Sequence, residues 1–325
     1  MKFKEFGPHL LLFSKAVLGH IVWLGFTAHF CGAQYVVDSS SIAGVVFLDS
    51  ITVTAVRAGW NLDEFILKIK KDESLYEAFR NLRKMNYTFE YQISANRRKG
   101  KNAASYVGQF IQNWDGRCRS MYIKSEETKG PWLEPNGDYS FFSATMADRL
   151  FLTHGQVCDQ VNTSLSDRKS SSSSGREKYV NLLKHILFNP GSGEDIPILG
   201  HEFELFDPSN SPYYTHSISQ IEWSGQSVII IHSVLNKGLK PHEERKNIVR
   251  ELVSYMRKED KQIIHRSYHL VNHSLILDCD VKISFDVRQH QSSYYVNKCQ
   301  LEGYWNFPGK KWENASFNIS INPQP

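Results

Sequence analysis

Net charge is the first thing this sequence has little of: 38 Lys and Arg stand against 34 Asp and Glu, a formal +4 over 325 residues. So small a surplus supplies no field to hold a polyanion, which excludes nucleic acid as a partner. The basic cluster "NRRKGK", Asn96 to Lys101, carries hairpin-turn residues and reads as a charged, solvated turn. Chemical motifs are missing as well. His201-Glu202 and His242-Glu243 would need a second histidine one helical turn on to form a zinc site, but Leu205 and Lys246 stand there. "NPGSGED" has too few glycines for a phosphate cradle, and its order is wrong, helix before loop. There is no nucleophile elbow and no Cys/His pair in a recognisable context. The sequence therefore names no catalytic residue, no metal and no cofactor, and we read it as non-enzymatic.

Cysteine is scarce, five in all, and where the chain resides decides what they do. Lys2, Lys4 and Lys15 precede an uncharged stretch, Ala16 to Val37, after which the sequence turns polar at Asp38, the pattern of a secretory signal. Cleavage is expected after the small residue Ala33, giving a leader 1–33 and a mature domain 34–325. The alternative is a retained anchor, since the uncharged stretch is long enough to cross a bilayer. With the leader cleaved, membrane association is only peripheral. Lipid attachment at Cys31 is not expected, because Phe30 rather than a small residue precedes it. Removal of the leader leaves a charge of +2 over about 290 residues and four cysteines, an even set that can pair in an oxidising compartment in three ways. Cys118 and Cys158 lie near element ends and are the favoured disulfide, whereas Cys279 and Cys299 fall on apolar strand faces, where buried thiols are expected.

What the sequence does have is β-periodicity. Residues 45–56 alternate Ile51, Val53 and Ala55 against Thr52 and Thr54 and read as a strand of the domain. A helical segment follows over 61–84, with Asn61 as its cap and Phe65, Ile66, Ile69, Leu75, Phe79 and Leu82 at helical spacing. Residues 87–126 form a β region with turns near "RKGK" and "WDG". "SATMADRLFLTHG" starts a helix with Ser143 as its cap and Gly155 as its stop. A Ser-rich loop, 163–176, precedes a helix over 177–188. From 198 to 321 the chain is an antiparallel meander with short links, including a first strand at "GHEFELF".

Alternation along the late strands separates a dry face from a wet one. Leu277, Cys279, Val281, Ile283, Phe285 and Val287 point one way, and Asp278, Asp280, Lys282, Ser284 and Asp286 the other. Tyr295, Cys299, Leu301 and Trp305 continue the apolar side on the next strand, then Phe317, Ile319 and Ile321. The fold class is therefore α+β, a large curved antiparallel sheet, a half-barrel, with helices covering its concave face. Val281, Ile283, Phe285, Leu301, Trp305 and Phe317 are the candidate lining of a hydrophobic cavity. The acidic stripe Asp278, Asp280 and Asp286 reads as a solvated face, because calcium sites draw their oxygens from loops. His265 and His269 share a strand face without a third ligand and read as exposed imidazoles.

The leader, "YEAFRNLR", "GRCRSMYI", "LFNPGSG", "IPILGHEFELFD", "YMRKEDKQIIHRSYHL" and the Gly-Tyr-Trp strand together resemble envelope proteins of Bacteroidota-type bacteria, some with names related to outer-membrane lipoprotein sorting. "ELVSYMRKEDKQIIHRSYHL" resembles the strand, turn, strand unit of the lipoprotein carrier and receptor (Lol-type) half-barrel. The resemblance implies a lipid-binding cavity and a place in the periplasm or on the inner face of the outer membrane. Lipid or lipoprotein acyl chains are then the expected ligand. The alternative is a structural or interaction protein of the envelope whose apolar face is only core and whose partner is another envelope protein. "DSITVTA" is also similar to the docking box of TonB-dependent receptors, but about 290 residues cannot supply their barrel.

Overall fold

The computed structural model describes residues 65–67, 69, 72–158, 205–274, 277–306 and 311–324. The expected leader, the strand at 45–56, the Ser-rich loop and the helix at 177–188 lie outside them. After helical residues at 65–67 and 69 come helix α1 (Ser74–Leu82) and strands β1 (Tyr87–Asn96), β2 (Ala104–Trp114) and β3 (Cys118–Lys129). Helix α2 (Phe142–Phe151) and the short β4 (Gln156–Cys158) complete the first half. The second half holds β5 (Tyr214–Trp223), β6 (Gln226–Leu235), helix α3 (Pro241–Lys246), β7 (Val249–Arg257) and β8 (Ile263–His273). It closes with β9 (Asp278–His290), β10 (Ser293–Asn306) and β11 (Glu313–Pro323).

All eleven strands make one antiparallel sheet in the order β4-β3-β2-β1-β11-β10-β9-β8-β7-β6-β5. Two meanders meet where the first strand pairs with the last, from Tyr87 opposite Pro323 to Asn96 opposite Asn314. Among the described residues β4 and β5 do not pair with each other, so the sheet is the open, curved half-barrel expected from the strand pattern. No helix among them is long and apolar enough to cross a membrane.

The alternation is carried into three dimensions by register. One row of inward residues runs His216, Ser233, Leu252, Tyr268, Ile283, Leu301, Phe317, Ile93, Tyr106 across nine strands, each directly opposite the next. All nine are buried. Period-two side chains can share one face across so many strands only because the pairs stay in register. Helix α1 lies on this face against β10, burying Leu75, Ala78 and Leu82. The buried Gln112 side chain of β2 ties down its C-terminal end by donating to the carbonyls of Leu82 and Met85.

Three local expectations change. Tyr295 leaves the alternation of the dry stripe although it stays buried at 5% exposure: the register shifts between Val296 and Lys298, so Val296 opposes Val287 and Tyr295 opposes Arg288. Helix α2 starts at Phe142, and Ser143 is a buried residue inside it with no side-chain cap bond of its own. Its capping acceptor comes from elsewhere in the fold. Leu205 and Phe206, at the end of the expected "GHEFELF" strand, sit in a turn. There the Asp207 carboxylate accepts from the Ser209 amide at 2.8 Å and its hydroxyl at 2.6 Å, an Asx-type turn; the rest of the expected strand lies outside the described residues.

Candidate functional site

The six cavity candidates form one patch on β9, β10 and β11. Ile283, Leu301 and Phe317 are successive members of the long row, and Trp305 opposes Cys279 one step from Val281. Their exposures run from 1% at Phe285 to 7% at Val281, so the patch is closed over. Phe79 of α1 meets the Phe285 ring edge-on at 5.4 Å, and Tyr268 meets it at 6.2 Å. Cys279 and Cys299 lie in the same layer as free, buried thiols. Burial pushes the Cys279 thiol up to about 12 and that of Cys299 well above its ordinary value, which leaves both inert at neutral pH. The other two described cysteines stand apart at the sheet edge, where Cys118 of β3 opposes Cys158 of β4 and the two are joined by a disulfide.

Three polar groups inside this layer were not anticipated from the sequence. Glu313, at the start of β11, is wholly buried. Its carboxylate accepts from the Trp305 indole N–H at 2.8 Å and from the first amides of α2, Phe142 at 2.9 Å and Ser143 at 2.6 Å. Arg97 stands 3.5 Å away and lays its guanidinium over the Phe141 ring. Arg266 of β8, 1% exposed, donates to the Ser254 hydroxyl at 3.1 Å and to the Asp72 carboxylate at 3.0 Å. Strand parity carried the signal for Arg266: if His265 and His269 face out, the residue between them at 266 must face in.

The third is His216. Its Nδ1 lies 2.8 Å from the Ser233 hydroxyl, and desolvation lowers its pKa to about 4. The folded chain thus resists a proton that the unfolded chain accepts below its ordinary value near 6.5. Stability is fully present above that value and falls as the pH drops toward 4, by on the order of 2–3 kcal/mol. Urea denaturation at several pH values should show this decline, and His216→Gln should flatten it; an equal slope in both proteins would refute the assignment.

On the wet face, the histidines and the acidic stripe come together as pairs. His265 bonds Asp286 at 2.6 Å, His269 bonds Asp280 at 2.8 Å and His273 bonds Asp278 at 2.8 Å. Among the described residues no group of three or more His, Cys, Asp or Glu could hold a metal ion. Two cavities open on this polar side, of about 380 Å3 and 500 Å3, and neither is lined by any of the six dry-face candidates.

The fold and this face define a class: an open antiparallel half-barrel with a helix laid on its dry side. No family model and no curated protein matches the chain. Among solved structures it is similar to a DUF1329 family protein from Desulfovibrio piger at 12% identity and a TM-score of 0.24, over 82% of this chain and 91% of that one. A proposed outer membrane lipoprotein-sorting protein domain from Vibrio parahaemolyticus aligns at 8% identity and a TM-score of 0.25, over 79% and 93%. A structure of lipid-protein interactions in lipovitellin aligns at 9% identity and a TM-score of 0.27, covering 74% of this chain and a quarter, 25%, of that one. None of these likenesses transfers a site.

Proposed function

We propose that the protein is an exported, non-enzymatic protein of the cell envelope, in the periplasm or at the inner face of the outer membrane, whose dry sheet face takes the acyl chain of a lipid or lipoprotein. The observation that carries this reading is a mismatch of areas. Ten strand spacings make the sheet about 48 Å wide, whereas helices of 9 and 10 residues are each about 15 Å long. Among the described residues, these two helices are short against an apolar layer nine strands wide, which supports a second apolar occupant. The rival, a structural or interaction protein with no ligand, draws on the near-complete burial of all six candidates and on the polar lining of both cavities.

Native mass spectrometry of residues 34–325 purified from a periplasm separates the two. A mass increment of one acyl lipid, removed by delipidation and restored by phospholipid, is the expected result. A clean apo mass that stays unchanged after incubation with lipid would transfer the assignment to the interaction protein.

A further inference from the structure

The geometry points to a second binding site on the wet face, independent of the acyl-chain reading: a polar trough that takes an acidic glycan, a sugar chain bearing carboxylates. Its floor follows from Gly303. This residue has φ +145°, and a Cβ there would lie 2.1 Å from the Asp280 carbonyl oxygen and 2.7 Å from the Val281 Cα. β9 and β10 approach too closely at this point for any side chain, and the small Ala315 stands opposite on β11. Gly303 and Ala315 lie in the lining of a cavity of about 380 Å3 in the polar surface.

Two rows of side chains wall it. One runs Asp280, Tyr304, Asn314, Asn96, and the other Lys282, Glu302, Ser316, Ser94, each residue opposite the next across β9, β10, β11 and β1. Carboxylates, amides and hydroxyls thus stand at strand spacing on both sides of a bare floor, a set of donors and acceptors that matches the hydroxyls of a sugar. Tyr304 adds an aromatic surface, stacked on Trp312 at 5.7 Å and 24°.

The second cavity, about 500 Å3 between α3 and β8, differs in charge: Arg245, Arg250, His269 and His273 line it, with Glu244 the one carboxylate. The two cavities meet at the His269–Asp280 bond, since each partner lines one of them. Arg245 uses its Nε on the Pro241 carbonyl, and Arg250 donates to the Glu244 carbonyl at 3.1 Å and lies 3.4 Å from its carboxylate. A guanidinium has five N–H groups, so both arginines retain donors for an anion. Sugar hydroxyls at the Gly303 end and a carboxylate at the arginine end use both cavities; a small anion alone would use only the second.

The test is calorimetry on the full chain, with hexagalacturonate as the acidic probe and maltohexaose as its neutral counterpart. Hexagalacturonate should bind about ten-fold more tightly, a preference that falls at high salt. Arg245→Ala should abolish the preference and leave the weak neutral binding. Asn314→Ala should weaken both ligands about five-fold. Both side chains lie on the surface, so the thermal midpoint should not move. Absence of heat with either glycan at millimolar concentration would overturn the proposal, as would variants that bind like the parent. Full competition by inorganic phosphate together with an inert Asn314→Ala would also overturn it, reducing the trough to a small-anion site. Acyl lipid on the purified protein bears on neither outcome.

Discussion

Glu313→Ala should cost about 4–5 kcal/mol of folding stability, read as a lowered urea midpoint with an unchanged slope. The carboxylate is the shared acceptor for three donors: the Trp305 indole N–H and the amides of Phe142 and Ser143. Removing it takes this acceptor from all three buried groups, and the first turn of α2 has no side-chain cap of its own to substitute. Arg97 is less affected, because it also bonds the carbonyls of Ser140 and Lys311. Glu313→Gln keeps one oxygen but turns an NH2 group toward donors, so about half the loss should remain. Amide exchange distinguishes a cap from a general packing role: in Glu313→Gln the Phe142 and Ser143 amides should exchange faster than the strands of the sheet. A loss below about 1 kcal/mol for the alanine variant would mean that α2 is held by its buried face alone.

This residue sits where the two meanders join. β11 carries Glu313, β10 carries Trp305 opposite it, and Arg97 follows directly on β1. The sequence makes the strands themselves legible because burial imposes a period of two, and β9 keeps it from Cys279 to Val287. It does not make the seam legible: β1 and β11 are separated by more than two hundred residues, and no local signal says that they pair. The bulge after Val296 is hidden for a related reason, since an extra residue is defined by the partner strand and not by its own neighbours. The six dry-face residues were readable as a patch from alternation alone. Whether they line a cavity or fill a core depends on what lies across from them, as Phe79 does for Phe285. Pairing of the wet-face histidines with the acidic stripe was likewise hidden, because His265 meets Asp286 only through the β8–β9 register. Charged groups on the dry face are the least legible feature, because an apolar pattern draws attention away from Glu313 and Arg266, which share its parity.

Arg266 gives the second large effect. Asp72→Ala should cost about 3–5 kcal/mol, on the order of a 10 °C fall in melting temperature, because it strands the Arg266 guanidinium in an apolar layer between Ser254 and Phe285. The reverse change is milder. In Arg266→Met the Asp72 carboxylate, 12% exposed, can hydrate and can still accept from the Ser74 amide that opens α1, at 3.3 Å, so about 1–2 kcal/mol should be lost. Combining the two changes removes the charge along with its partner, and the double variant should be more stable than Asp72→Ala alone. Such a result would mean that the pair contributes little net stability and serves chiefly to fix where α1 starts on the sheet. Equal and additive losses would instead place the docking of α1 on Leu75, Ala78 and Leu82, with the ion pair a bystander.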